Sequence, residues 1–159
     1  MIEFFNQYAS FIVFIHVLSA IVWVGGMIAI RLTVHPSLQM IESSQIKIEK
    51  TLDIMKRLLN LVIPMIIALI ITAVLLAIGE GLKETELYPI VLVKEGIWIA
   101  MTIIFIAIYI KHNQSEKLFI QREFAEAKES LKLIPNLLLP INISLGLIAL
   151  YLGVTLRGF

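Results

Sequence analysis

The sequence predicts an all-α integral membrane protein, a four-helix bundle made of two parallel helix-pair repeats. Three observations carry this. Of 159 residues, 59% are hydrophobic, against about 45–50% in a soluble domain. Four apolar stretches each approach the ~20 residues needed to cross ~30 Å of hydrocarbon. And the histidines, asparagines and prolines recur at a nearly constant offset between the two halves.

The chain reads as one transmembrane domain over residues 1–159, with spans at about 8–32, 57–79, 89–111 and 134–156. The first span is apolar enough to cross the bilayer yet carries His16. That residue lies about eight residues in, ~12 Å along the helix. An ionisable group at such depth is costly and marks a site to be explained. Its face continues through Ser19, Ala20, Trp23, Gly26 and Met27 at helical spacing. Small residues there let a second backbone approach closely, so His16 is expected to face the bundle interior. The second and fourth spans carry Pro64 and Pro140, each four residues after an asparagine, Asn60 and Asn136. A proline frees a carbonyl one turn back and bends the helix, and the amide is placed to satisfy it. The third span has the face Lys94, Trp98, Met101, Phe105, Tyr109, His112, aromatic and polarizable.

The first connection, 33–56, is polar with amphipathic spacing, so a helix continuing into the second span is expected. The third, 112–133, alternates Lys/Arg with Glu at helical neighbour spacing, which favours a solvated helix. The middle one, 80–88, holds a single basic residue, Lys83. Basic residues therefore concentrate in the first and third connections. The positive-inside rule places those on the cytoplasmic side of a cell inner membrane and both termini on the periplasmic side. Arg31 and Lys111 can snorkel to headgroups at the inner ends of their spans. The first residues lack a basic n-region and include Glu3, so they do not read as a cleavable signal.

The repeat rests on paired positions: His16 with Lys94, His35 with His112, Asn60 with Asn136, Pro64 with Pro140, at offsets of 76 to 78. Each half runs inward, through a basic connection, then outward, as in membrane folds with a pseudo-two-fold axis along the bilayer normal.

Composition removes several function classes. With no cysteine, thiolate zinc, iron–sulfur and covalent haem sites are excluded. No basic cluster with interleaved aromatics supports nucleic-acid binding. No phosphate loop or Ser/His/Asp grouping supports a hydrolase or nucleotide enzyme. What remains is ligation. His16 and Lys94 are candidate axial ligands of a haem b between the first and third spans, because imidazole is the common haem-iron ligand and bundle cores are usual cofactor sites. A lysine ligand must be neutral, which desolvation favours. Against this, His16 can simply make an interhelical hydrogen bond, and Lys94 can snorkel or pair with Glu95. His35 and His112 form a second candidate pair, at helix ends where histidine is ordinary. Met27 and Met101 (with Met65) are candidate thioether ligands for copper, with core packing as the plain alternative. Trp23 and Trp98 are candidates to stack on a porphyrin. Arg31 is the candidate partner of a propionate or of a carboxylated substrate. Gly25-Gly26 offers a helix face for a second copy, so a homodimer is a candidate assembly.

The runs His16-Val-Leu-Ser-Ala-Ile-Val-Trp23-Val-Gly-Gly26 and Arg31-Leu-Thr-Val-His35 resemble the first helix of the CopD/HemJ group of four-helix membrane proteins. Lys94, Pro64, Pro140 and the ending Arg157-Gly-Phe159 fit the same pattern. Ile30, Val34 and Glu95 depart from the HemJ type, and Trp23-Val-Gly-Gly26 is closer to CopD. The resemblance implies a metal-binding oxidoreductase of porphyrin biosynthesis. Its members of the HemJ type are implicated in oxidising protoporphyrinogen IX and bind haem b through a His and a Lys. The expected partners are then the bilayer and a porphyrin or membrane electron acceptor. The alternatives are a CopD-like copper uptake protein, of the copper-resistance class, and a non-catalytic membrane subunit.

Overall fold

In the computed structural model, residues 2–79, 81 and 85–156 are described, with side chains from residue 7 onward. Lys83 and Arg157-Gly158-Phe159, singled out above, lie outside the described residues. The chain forms four helical rods. The first contains α1 (Ile2–Ala20), a π segment π1 (Ile21–Gly25), α2 (Gly26–Ala29), π2 (Ile30–Val34) and α3 (His35–Gln39). The second is the single helix α4 (Ser44–Gly79) and the third is α5 (Tyr88–Ile120). The fourth joins α6 (Phe124–Leu133), π3 (Ile134–Leu138) and α7 (Leu139–Thr155).

All four rods are long and apolar enough to cross a membrane. They are also longer than the expected spans, because both basic connections are helical. α4 has 36 residues, about 54 Å at 1.5 Å per residue, against ~30 Å of hydrocarbon. Only short turns remain at that end, residues 40–43 and 121–123. We call it the basic end.

The outward surface is apolar. Phe11, Phe14, Ile21, Ile67, Ile103 and Tyr151 are exposed, and the apolar windows of the four rods are only 17–28% buried. In water such a surface would be a large aggregation-prone patch; against acyl chains it is matched to its solvent. α1 packs along α4, and α5 along α6 and α7, while α4 meets α5 and π1 meets α7. The bundle is thus two helix pairs joined side by side. The first and third rods lie diagonally and meet across the centre, where Trp23 and Phe105 pack edge to face, centroids 6.0 Å apart.

Small residues set the close approaches. A Cβ added to Gly26 would lie 2.7 Å from Leu58 Cδ1, and one added to Gly146 would lie 2.7 Å from Val24 Cγ2. Gly26 therefore seats the first rod on the second, and Gly146 seats the fourth on the first. Gly25 has open space beside it.

Two of the π segments have a local cause. π2 and π3 each end two residues before a proline, Pro36 and Pro140. A helical proline donates no N–H and its ring presses on the carbonyl four residues back. Those carbonyls belong to Leu32 and Asn136, inside the π segments, where the wider turn relieves the clash. Pro64 sits instead within uninterrupted α4. Asn60 and Asn136 are exposed, and among the described residues neither side chain makes a hydrogen bond; the expected amide rescue of the proline-freed carbonyls is not seen.

At the basic end the helices are clasped. The ring of the buried His112 is hydrogen-bonded through Nε2–H to the Leu52 carbonyl at 3.0 Å. One turn on, Lys56 and Glu116 pair at 2.9 Å. The turn after α5 is closed by Arg122 N–H to Phe119 O and Glu123 N–H to Leu118 O. This places Arg122 at positive φ, 64°, the position usually taken by glycine. Phe119 and Phe124 pack across that turn, centroids 5.3 Å apart.

Candidate functional site

Four spans of mostly aliphatic side chains hold few polar groups, and each needs a partner. His16 finds one on the second rod: its Nδ1 lies 2.8 Å from Thr72 Oγ1. The Thr72 hydroxyl has one proton, and it is given to the Ala68 carbonyl at 2.6 Å, a bond helical threonines make readily. Oγ1 must therefore accept from the imidazole, so Nδ1 carries a proton, and in the neutral ring Nε2 is the nitrogen with the lone pair. This is the tautomer a histidine needs in order to ligate a metal, with the opposite ring nitrogen anchored by a hydrogen bond. Thr72 was not legible as a site residue; its one signal is a hydroxyl alone in a run of Ile, Leu and Ala.

Lys94 is half-buried and runs over the fourth rod. A Cβ on Gly153 would lie 3.2 Å from Lys94 Nζ, so the missing side chain at Gly153 makes the room for the amine. His16 and Lys94 belong to different helix pairs. The structure gives each a named neighbour within its own pair, Thr72 for one and Gly153 for the other.

The two indoles are placed differently. Trp23 is 1% exposed, enclosed in the core with its ring edge-on to Phe105. Trp98 is half-buried and remains the accessible indole on the Lys94 face. The Nε1 atoms of both are buried without a hydrogen-bond partner. Met27 and Met101 are core residues at 2% and 3% exposure. Met27 lines a small apolar cavity with Met55, Trp23 and Phe105. The carbonyl of Met101 accepts from Asn142 Nδ2 at 3.3 Å, and Asn142 Oδ1 is buried without a partner. Asn142 is the second polar core residue that the sequence reading passed over; a lone amide amid Leu and Ile was its signal.

His35 and His112 serve different places. His35 is half-buried at the basic end and accepts at Nε2 from the Gln39 amide at 3.2 Å; His112 is closed into the α4–α5 clasp. Among the described residues no group of three or more His, Asp or Glu side chains is arranged to hold a metal ion. Arg31 is half-buried on π2 and has no carboxylate partner among the described residues. It lies 15 residues from His16, about 22 Å along the rod. That is too far for one porphyrin at His16 to reach it.

Together these features define a class, the multi-pass membrane protein built as a four-helix bundle with isolated polar side chains held inside it. Compared with family models, curated proteins and solved structures, the chain matches none of them.

Proposed function

We propose that this chain is a haem-b-binding membrane redox protein, similar in kind to the HemJ-type proteins that oxidise protoporphyrinogen IX. The observation that carries the proposal is the hydrogen-bonded His16–Thr72 pair. It anchors Nδ1–H, the arrangement of a metal-ligating histidine, at a depth where an ionisable side chain needs a reason to exist. The donor chemistry suits haem b: one imidazole, and one amine on another helix pair. His16 and Lys94 would hold the group, and bound haem would supply one-electron transfer. Thr72 would fix the imidazole orientation and, by accepting from Nδ1–H, raise the electron donation of the ring. Trp98, on the Lys94 face, is the indole placed to cover a flat ligand. The substrate or acceptor is a porphyrinogen or a membrane electron carrier, and both spans with a ligand residue open toward lipid.

A copper reading has one observation in its favour. Met27 and Met55 line one cavity that no charged side chain enters, a soft environment suited to copper(I). Absorption spectroscopy of the purified chain separates the two. A Soret band that shifts on reduction and is lost in His16→Ala supports haem; a colourless protein that holds copper supports the alternative.

A further inference from the structure

Glu95 is the only acidic residue inside the four expected spans. Ionisable side chains in membrane helices ordinarily face the bundle interior or a water-filled cavity, and they are paired. Glu95 departs from both habits. It is exposed on the outward side of α5, seven residues after Tyr88, where the helix starts, about 10 Å along the axis. Exposed apolar side chains flank it along the helix: Leu92 toward the near end, Ile99 and Ile103 toward the middle of the span. The fourth rod, which meets Lys94 at Gly153, exposes Tyr151 and Val154 at the same height. Among the described residues the Glu95 carboxylate enters no ion pair; those that form, Lys56–Glu116, Arg57–Asp53 and Lys132–Glu129, lie toward the basic end. Lys94, its neighbour in sequence, is directed over the fourth rod instead, with Nζ against Gly153. Gly96 stands beside Glu95, also exposed, with open space where a Cβ would be.

We propose that this face of α5 docks a transmembrane helix of a partner protein, one that carries a single lysine or arginine at the depth of Glu95. Charge complementarity chooses the occupant. Acyl chains leave the carboxylate without a partner. A second copy seated two-fold on the same face would bring two carboxylates together and supply no cation between them. A foreign helix with one basic side chain supplies it. Gly96 lets that backbone come close, and Leu92, Ile99 and Ile103, at helical spacing with Glu95 and Gly96, form the apolar stripe on which it lies. The inference is independent of haem at His16.

The test uses the labelled full chain in phosphatidylcholine vesicles and reads association by energy transfer. The probe is a synthetic membrane-spanning helix of leucine and alanine with one arginine about 10 Å from one end. The control peptide has glutamine in its place. The wild-type chain should associate about five-fold more tightly with the arginine peptide, the effect of one polar contact between helices in lipid. Glu95→Gln, a swap of nearly equal size, should abolish the preference, and Glu95→Asp should keep part of it. Gly96→Leu should weaken association with both peptides, because its side chain would stand where the partner backbone lies. His16→Ala should leave the preference unchanged. Equal association of the wild-type chain with both peptides, or an unaltered preference in a folded Glu95→Gln, would overturn the proposal. So would self-association of the wild-type chain that is lost in Glu95→Gln, which would assign the face to a second copy.

Discussion

At the scale of single residues, the energetics turn on hydrogen bonds that have no water to fall back on. Thr72 illustrates it. Its oxygen accepts from His16 while its proton is used within its own helix. Thr72→Val keeps the shape and removes the acceptor of the half-buried Nδ1–H. A loss of about 0.5–1.5 kcal/mol is expected, the net contribution of one hydrogen bond, and Thr72→Ser should recover most of it. Thermal unfolding in detergent measures both; a Val variant as stable as the wild type would mean that the pair contributes nothing. His16 was legible in the sequence because an imidazole amid Val, Leu and Ile is conspicuous. Its partner was not, because a threonine is unremarkable in a span and only the packing of α1 on α4 brings the two together. The same applies to Asn142, whose carbonyl neighbour on α5 is distant in sequence.

At the scale of elements, helix placement was readable and helix irregularity was not. The spans and their helical extensions follow from apolar runs and amphipathic spacing. The π segments depend on how a proline ring and a neighbouring helix share space. Pro64 stands in a regular helix while Pro36 and Pro140 follow widened turns, although the sequence pattern pairs Pro64 with Pro140. Positions that the sequence pattern pairs therefore differ in structure, and half-buried His35 at the basic end against His112 in the α4–α5 clasp says the same. The α5–α6 turn yields a sharp expectation. Arg122 holds a left-handed conformation at φ 64°, where a Cβ is strained. Arg122→Gly should stabilise the protein by about 0.5–1 kcal/mol, less the entropy that glycine adds to the unfolded chain. A measurable fall in the unfolding temperature would contradict this account of the turn.

At the scale of the whole molecule, the bundle reads as two helix pairs whose outer surfaces suit lipid and whose basic end projects beyond it. We infer that this end faces the cytoplasm, because Lys and Arg concentrate there. The chain has no cysteine, so single cysteines report topology cleanly. Ser43→Cys, in the first turn of the basic end, should be shielded from a membrane-impermeant thiol reagent in intact cells. Glu86→Cys, at the opposite end, should react. The reverse pattern would invert the topology and place Arg31 on the outer side.

The most direct test of the central claim is the absorption spectrum of the purified wild-type chain, with and without dithionite, beside His16→Ala and Lys94→Ala. A Soret band in the wild type that shifts on reduction, is lost in His16→Ala and is altered in Lys94→Ala is the predicted result. A folded, colourless wild-type protein that takes up no haem b on reconstitution would contradict it.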